Sequence, residues 1–295
     1  MNKVGIYFAY WTREWQADYP MYIQKAARLG FDILEVCTAN FVDLGKAERQ
    51  EIRRAAQDAG IDLTFCLGTP PEYDMSSPDA GVRKAGIEYA KRTLEMISDM
   101  GGNTYGGINY ASWPVRQLPK DLAEKADYVA RSLESLKSVL KTAEDYGVQY
   151  CFEIVNRFEQ FLLNTAEEGV AFCKATGSPN AKLLLDTFHM NIEEDSLADA
   201  IHTAGFYLGH FHIGEANRKT PGVGRMPWHE IGKALREIDY RGAVVMEPFI
   251  APGGQVGEDI RVWRDLSKGA DEAEMDAKAG KACRFMKAVL ESAAE

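Results

Sequence analysis

Four polar side chains that can do chemistry stand in short apolar runs of the second half of the chain. Glu153 lies in YCFEIV, Asp186 ends LLLD, Glu247 ends VVME, and the run HFHI at 210–213 supplies a histidine. Burying an unpaired charge costs several kcal/mol unless a cation or another partner compensates. An ion pair is the alternative for each residue taken alone. Taken together, the four favour a shared cation.

Three carboxylates and one imidazole form a ligand set of oxygen and nitrogen donors without a thiolate. Such a set suits an octahedral divalent ion and leaves positions open for water or substrate oxygens. The predicted cofactor is therefore one divalent metal ion, Mn²⁺ or Co²⁺ first and Mg²⁺ next, with Zn²⁺ also open.

The other histidines and one further glutamate bear on this site. Because side chains alternate across a strand, we expect only one of His210 and His212 to face the interior. His202 and His229 are expected to be structural or exposed to solvent. Glu35, in the run ILEVC, is either an acid supporting the site or a member of a buried ion pair, and the sequence leaves both open.

Segments after these runs are rich in hydrogen-bonding side chains, as a hydroxyl-rich ligand requires. They are NRFE at 156–159, TFHMN at 187–191 and EANR at 215–218. Tyr7, Trp15 and Trp113 are candidates for apolar pocket walls, with ordinary core positions as the alternative. The segment PGVGRMP at 221–227 is expected to be a flexible cover or a plain surface loop.

Glycines mark a recurrent unit that positions these residues. An amphipathic stretch ends at a glycine and a short apolar run begins one or two residues later, as after Gly30, Gly60 and Gly147. The stretch before Gly147 repeats apolar residues at spacings of four and three from Val129 to Ala143, which predicts a helix with one buried face. Eight apolar strands are predicted with helices between them: Val4–Ala9, Ile33–Cys37, Leu63–Leu67, Thr104–Ile108, Tyr150–Val155, Lys182–Asp186, Leu208–Ile213 and Ala243–Glu247.

Alternation of continuous apolar strands with helices indicates a parallel sheet covered on both faces. Eight units at roughly 37 residues each suit a closed TIM (β/α)8 barrel, one domain over residues 1–295. A doubly wound open sheet is the alternative, but no glycine-rich phosphate-binding motif follows any strand. From Pro252 onwards we expect one short helix and then the last barrel helix. The carboxyl ends of barrel strands meet at one mouth, so the four polar groups should converge there.

The composition of the chain limits the kinds of molecule that it is expected to bind. A formal net charge of −10 argues against nucleic acid, and no apolar run is long enough to span a membrane. Five cysteines, an odd number without a CxxC pair, are expected to be reduced thiols. The N-terminus lacks the pattern of a signal peptide, so a cytoplasmic location is expected. A small neutral substrate fits this composition best.

The residues around the polar groups resemble those of the ketose 3-epimerases, the D-tagatose and D-psicose (D-allulose) 3-epimerase family of xylose-isomerase-like barrels. The resemblance runs over essentially the whole chain. It rests on EIVNRFE (153–159), LLLDTFHMNIEED (183–195), GHFHIGEANR (209–218), GRMPWHEIG (224–232) and AVVMEPF (243–249) followed by VWRDLS (262–267).

The resemblance implies a role for each candidate residue. The metal ligands would be Glu153, Asp186, His212 and Glu247. Glu153 and Glu247 would also transfer protons. The ketose would be held by Glu159, His189 and Arg218, in a pocket lined by Cys66, Tyr7, Trp15 and Trp113. The segments 68–74 and 108–110 are where members differ, so the resemblance leaves substrate preference open there. A homodimer or homotetramer is expected.

Inversion at C3 of a ketose is a reaction that two carboxylates such as Glu153 and Glu247 can perform. The C3 proton, beside the C2 carbonyl, is too weakly acidic to leave unaided, and a divalent cation would stabilise the resulting cis-enediolate. One carboxylate removes the proton from one face and the other delivers a proton to the opposite face. Substrate pairs would be D-fructose with D-psicose and D-tagatose with D-sorbose.

Three other functions remain open from the sequence. An aldose–ketose isomerase would use similar ligands but move hydrogen between C1 and C2. A barrel endonuclease with three zinc ions would need more histidines than the five present and a basic face for DNA. A sugar-binding or metal-binding barrel without turnover is the third, and the presence of both Glu153 and Glu247 argues against it.

Overall fold

Eight parallel strands close into a barrel in the computed structural model of the protein, which describes residues 2–39 and 44–292. Each strand pairs with the next, and Val4 of the first strand pairs with Val244 of the last, so the sheet has no open edge. The strands are β1 (Val4–Tyr7), β2 (Ile33–Cys37), β3 (Asp62–Gly68), β4 (Thr104–Ile108), β5 (Gln149–Ile154), β6 (Ala181–Asp186), β7 (Leu208–Ile213) and β8 (Ala243–Met246). The predicted barrel is confirmed and the open sheet is excluded.

Helices follow every strand and cover the outside of the barrel. They are α1 (Tyr19–Leu29), α2 (Lys46–Ala59), α3 (Ala80–Asp99), α4 (Leu122–Tyr146), α5 (Ala166–Thr176), α6 (Thr187–Glu193), α7 (Leu197–Ala204), α8 (Trp228–Glu237), α9 (Gly254–Asp259) and α10 (Glu272–Glu291). The short α9 and the longer α10 are the two helices expected after Pro252, and the last residues of that segment, 293–295, lie outside the described residues.

The predicted strands agree with the observed ones to within two residues at each end. The largest difference is in β1, which ends at Tyr7 because the chain turns into a 3-10 helix over Phe8–Tyr10. β8 ends at Met246, so Glu247 stands just beyond its strand. The polar candidates therefore lie at or next to strand ends, as the barrel architecture requires.

The barrel wall and the inner faces of the helices form the core. On α4, Leu136, Leu140 and Ala143 of the predicted apolar face are buried, and Val129 and Leu133 pack against the core partly buried. Gly147 ends this helix with a φ of 67°, a left-handed conformation that costs glycine no Cβ clash. β5 can therefore begin at Gln149, with only Gly147 and Val148 between the helix and the strand.

Two further expectations concern the cysteines and the membrane. All five cysteines are free and buried, as predicted for reduced thiols. Among the described residues, no helix combines the length and the apolar character that crossing a bilayer requires.

Candidate active site

Four ligand-type side chains converge at the mouth of the barrel. Glu153 comes from β5, Asp186 ends β6, His212 lies on β7 and Glu247 follows β8, and one ligand atom from each lies within 4.8 Å of the others. The strand register explains the convergence: Asp186 is paired with His212, and His212 with Val245, two residues before Glu247. Since residues two apart on a strand share a face, all four side chains point to one place.

The donors at this cluster fit a divalent cation. Nδ1 of His212 is buried and has no hydrogen-bond partner in the described part of the chain. It faces Glu247 Oε2 at 3.7 Å and Glu153 Oε1 at 4.0 Å. A buried, unpartnered nitrogen facing carboxylate oxygens is what a metal ion would satisfy, and an oxygen-rich set with one imidazole suits Mn²⁺, Co²⁺ or Mg²⁺.

Three buried carboxylates in one place perturb one another. Burial raises the pKa of Glu153, and the charge of Glu247 raises it further. Burial also raises the pKa of Asp186, against the pull of Arg218. Burial acts upward on Glu247 as well, but His212 and Arg218 outweigh it and lower its pKa. The surroundings thus drive the pKa values of Glu153 and Glu247 in opposite directions, as is common for acid and base partners.

Arg218 caps the cluster from the loop after β7. Its Nη1 donates to Asp186 Oδ2 at 3.1 Å and to Glu247 Oε2 at 2.7 Å. The guanidinium lies 4.1 Å from the centre of the Phe188 ring and 5.2 Å from that of Phe249. The backbone of Arg218 has a φ of 61°, which is uncommon outside glycine and is frequent at functional sites. Arg218 is therefore held in a defined position above the carboxylates.

Glu215 anchors the continuation of the loop that follows β7. Its buried carboxylate accepts hydrogen bonds from the backbone N–H groups of Gly222 and Met226 and from Nε1 of Trp228. Residues 222–225 are exposed, and the described residues that line the pocket include none from 221–227. The segment predicted as a flexible cover or a plain surface loop is thus a surface loop anchored on Glu215.

His189 lies on α6, three residues after Asp186, whose side chain caps that helix. The backbone N–H of Asn156 donates to Nδ1 of His189 at 3.2 Å. Nε2 faces Glu153 Oε1 at 3.7 Å and Asp186 Oδ2 at 3.8 Å. Burial, with the charge of Arg218, lowers the pKa of His189 well below its usual value. The ring is therefore neutral and presents an Nε2–H donor toward the cluster.

One pocket opens above the cluster, and all seven side chains predicted to contact substrate line it. They are Tyr7, Trp15, Cys66, Trp113, Glu159, His189 and Arg218, and they share the pocket with Glu153 and Glu247. The lining residues that the sequence did not single out as pocket walls are Leu67, Gly68, Ile108, Val155, Phe249 and Ile260. Three of these, Leu67, Gly68 and Ile108, lie at the carboxyl ends of β3 and β4, and Gly68 and Ile108 are the first residues of the two segments in which family members differ.

Hydrogen bonds from indole nitrogens fix two of the aromatic walls. Nε1 of Trp113 donates to Glu159 Oε2 at 2.9 Å, so one wall also orients a predicted substrate contact. Nε1 of Trp15 donates to Asp259 Oδ2 at 2.8 Å, which ties a second wall to α9. Tyr7, Trp15 and Phe249 pack edge to face or tilted, with ring centres 6.0–6.4 Å apart. The walls are rigid apolar surfaces with a few fixed polar groups.

Gly68→Ala is expected to raise KM about tenfold, equivalent to roughly 1.4 kcal/mol, with kcat changed far less. A Cβ at Gly68 would lie 2.7 Å from Cε3 of Trp113, so the indole must shift and its bond to Glu159 weakens. Steady-state kinetics measures the effect. The matched control is Gly280→Ala on α10, where the nearest atoms to a new Cβ lie 3.5 Å away. An unchanged KM in Gly68→Ala would show that the Trp113 wall does not contact substrate.

The expectation that only one histidine of β7 faces the interior is wrong. His210 and His212 are two residues apart, so they share a face, and both are fully buried next to Glu35. Nε2 of His210 lies 2.6 Å from Glu35 Oε2, and Nε2 of His212 lies 2.6 Å from Glu35 Oε1. Glu35 is therefore a member of a buried ion-pair network, one member of which belongs to the cluster.

The two remaining histidines lie away from the site, as expected. His202 is on the surface, with Nε2 2.9 Å from Glu237 Oε2, and His229 is exposed.

Comparison with known proteins adds to this geometry. The sequence profile of the xylose isomerase-like TIM barrel family matches residues 23–266. A D-psicose 3-epimerase of Agrobacterium fabrum (strain C58 / ATCC 33970) is 51% identical over 98% of this chain and 99% of its own length. The chain belongs to the ketose 3-epimerase family. Membership makes it a carbohydrate epimerase, an enzyme of the isomerase class, as the sequence predicted.

Solved structures of the family superpose closely on the barrel. The structure of D-psicose 3-epimerase with D-tagatose from Clostridium cellulolyticum H10 has a TM-score of 0.95 at 48% identity, with 98% of this chain and 100% of that chain covered. A D-psicose 3-epimerase structure in the presence of D-fructose has a TM-score of 0.95 at 51% identity, with the same coverage. The ketose 3-epimerase fold therefore extends over almost the whole chain.

Proposed function

We propose that this protein is a metal-dependent ketose 3-epimerase that inverts C3 of free ketohexoses by two-carboxylate proton transfer. The observation that carries the proposal is the placement of Glu153 and Glu247. They come from strands β5 and β8, belong to one cluster of ligand-type groups, and both line the pocket. Inversion needs a base on one face of a carbon and an acid on the other, and two carboxylates from different strands supply both.

The residues that would hold the ion are Glu153, Asp186, His212 and Glu247, and Mn²⁺ or Co²⁺ is the proposed cofactor. When bound, such an ion polarises the substrate carbonyl and stabilises negative charge that develops on the neighbouring oxygens. Arg218 contributes a fixed positive charge beside Asp186 and Glu247. A substrate oxygen that gains negative charge would therefore meet donors already in place, without reorganisation during the reaction.

Proton transfer falls to the two glutamates. One carboxylate removes the C3 proton from one face of the ketose, which leaves a cis-enediolate. The other delivers a proton to C3 from the opposite face, and the two roles exchange in the reverse reaction. Burial at 7% and 8% exposure keeps Glu153 and Glu247 out of bulk water, so few competing proton transfers reach C3.

Substrate orientation falls to the polar groups around the pocket. Glu159 accepts from Trp113 and retains oxygen lone pairs for a sugar hydroxyl. His189 offers its Nε2–H, and Arg218 offers guanidinium donors near the same carboxylates. The rings of Tyr7, Trp15 and Trp113 would pack on the C–H faces of the sugar and exclude water.

Substrate identity follows from the relatives. Family members have been crystallised with D-tagatose and in the presence of D-fructose. We propose the pairs D-fructose with D-psicose and D-tagatose with D-sorbose. The acidic chain, with a net charge of −10, suits a neutral sugar better than a sugar phosphate.

Turnover of D-fructose in D₂O tests the proposal. The product epimerised at C3 should carry deuterium at C3, because the proton it gains comes from a carboxylate that has exchanged with solvent. Proton NMR of the isolated sugars measures the label. An aldose–ketose isomerase would yield an aldose and leave C3 untouched, and a non-catalytic sugar-binding or metal-binding barrel would incorporate nothing. An inverted C3 that keeps its original hydrogen would refute two-carboxylate transfer.

Assembly and location complete the proposal. We expect a homodimer or homotetramer in the cytoplasm. Exposed large apolar side chains, among them Phe158 and Trp263 at 73% and 77% exposure, offer surface for self-association. Size-exclusion chromatography with light scattering measures the mass in solution.

A further inference from the structure

Glu35 is a fully buried acid that the proposed reaction does not use. It is the middle residue of β2, between apolar neighbours, and its side chain points into the barrel with an exposure of 0%. A carboxylate removed from water costs several kcal/mol unless polar partners replace its hydration. A leucine there would fill the barrel without that cost. The position therefore calls for a reason beyond packing.

The two oxygens of Glu35 have different partners. Oε2 accepts a hydrogen bond from Thr64 Oγ1 at 2.8 Å and contacts Nε2 of His210 at 2.6 Å. Oε1 lies 2.6 Å from Nε2 of His212 in an ion-pair contact. Oε2 thus contacts one residue of β3 and one of β7. The other oxygen is left facing the ring that belongs to the metal cluster.

The contact with Glu35 bears on which nitrogen of His212 faces the metal cluster and which one carries the proton. The χ2 torsion of a histidine is broad, so a strand alone does not set which nitrogen faces the cluster or which carries the proton. In His212, Nε2 faces Glu35 and Nδ1 faces Glu153 and Glu247. To bind a metal through Nδ1, His212 needs a free lone pair on that nitrogen. In a neutral imidazole only one of the two ring nitrogens has a free lone pair, and the other carries the proton. A carboxylate 2.6 Å from Nε2 favours the proton on that nitrogen and leaves the lone pair of Nδ1 for the cluster.

We propose that Glu35 is the positioning residue for the metal ligand His212, fixing its tautomer and ring orientation through Nε2. Partners that accept from the far nitrogen of a ligating imidazole also make it a stronger donor to the metal, and their loss typically lowers metal affinity 10- to 100-fold. The inference rests on the proposed metal site. It adds that metal affinity depends on a residue of β2 that contributes no ligand atom.

Glu35→Gln tests this role because the amide keeps the size of the side chain and loses its charge. We expect the Kd for Mn²⁺, measured by isothermal titration calorimetry on metal-free protein, to rise 10- to 100-fold. Circular dichroism should show an unchanged fold. A Kd equal to that of the wild type would overturn the proposal, because Glu35 would then serve only the buried ion pair with His210.

Thr64→Val is the matched control. It removes the hydroxyl that donates to Oε2 and leaves the charge of Glu35 and its contact with His212 in place. Its Kd for Mn²⁺ should stay within about threefold of the wild type, because the tautomer of His212 is unaffected. A rise as large as that of Glu35→Gln would overturn the proposal, since any disturbance of the core would then have the same effect.

Glu35→Asp provides a second variant should the glutamine not fold. The aspartate keeps the buried charge but is one methylene shorter, so its oxygens withdraw from Nε2 of His212. We again expect a Kd at least tenfold higher, and wild-type affinity would count against the proposal. Failure of the proposed function gives a different result: wild-type protein would then bind no Mn²⁺, or would be fully active without it.

Discussion

Glu153→Gln and Glu247→Gln should each lower kcat by about 10²- to 10⁴-fold in metal-loaded enzyme, the range that general acid–base catalysis contributes. Glutamine matches glutamate in size and can still offer an oxygen, but it cannot accept or release a proton at C3. The two residues act as a pair, so the double variant should cost little more than either single one. Steady-state kinetics with D-fructose and D-psicose, with metal content measured alongside, gives the result.

Asp186→Asn is the control that separates metal binding from proton transfer. Asp186 belongs to the same cluster and is as buried, but it caps α6 through the Phe188 N–H and does not line the pocket. Its variant should need more Mn²⁺ and, once saturated, retain far more kcat than either glutamine variant. A metal-loaded Glu153→Gln or Glu247→Gln enzyme with near-wild-type kcat would remove that residue from the acid–base role.

The sequence was sufficient for the barrel and for the place of the cluster. Parallel strands buried on both faces are continuous apolar runs, so a charged residue inside one is conspicuous, as Glu153 is in YCFEIV. Because the carboxyl ends of the strands share one mouth, locating Glu153, Asp186 and Glu247 at strand ends also predicts that they meet. The structure places one ligand atom of each within 4.8 Å of the others and of His212.

The contacts of Glu35 could not be predicted from the strand pattern of the sequence. Its partners Thr64 and His210 lie 29 and 175 residues away in the sequence, and only barrel closure brings them together. The error at His210 has a simpler cause. Residues two apart on a strand point to the same side, so the spacing of His210 and His212 placed both rings inside, and Glu35 was the acid to pair with them.

Loop residues show a second limit of sequence reasoning. Asn156 sits in a segment recognised as rich in polar groups, but its backbone donation to Nδ1 of His189 depends on α6 packing against that loop. Glu215 likewise holds residues up to 13 positions further along the chain. Neither contact has a periodic pattern, because loops take their shape from tertiary packing and not from local spacing. Asn156 nevertheless orients His189, which lines the pocket.

Removal of the divalent ion should abolish turnover and destabilise the protein. Three buried carboxylates share the cluster, and burial disfavours the charged forms of Glu153 and Asp186, raising their pKa values. A bound cation compensates that cost only in the folded state. At Mn²⁺ concentrations of 100 times Kd, the free energy of unfolding should therefore rise by about 2.7 kcal/mol. Thermal unfolding with EDTA and after addition of Mn²⁺ or Co²⁺ measures the shift, and the same samples are assayed for turnover.

Two histidine variants test whether the Mn²⁺-dependent rise in Tm comes from the cluster. His212→Gln should lose most of the Mn²⁺-dependent rise in Tm, because Nδ1 is the cluster's nitrogen donor. His202→Gln should keep the full rise, since His202 lies on the surface beside Glu237. Protein shown by elemental analysis to be free of metal and yet fully active would rule out a metal-dependent reaction. A rise in Tm without any gain in turnover would assign the ion a structural role, because stabilisation requires only that it bind the folded state, whereas catalysis also requires it to interact with the reacting oxygens.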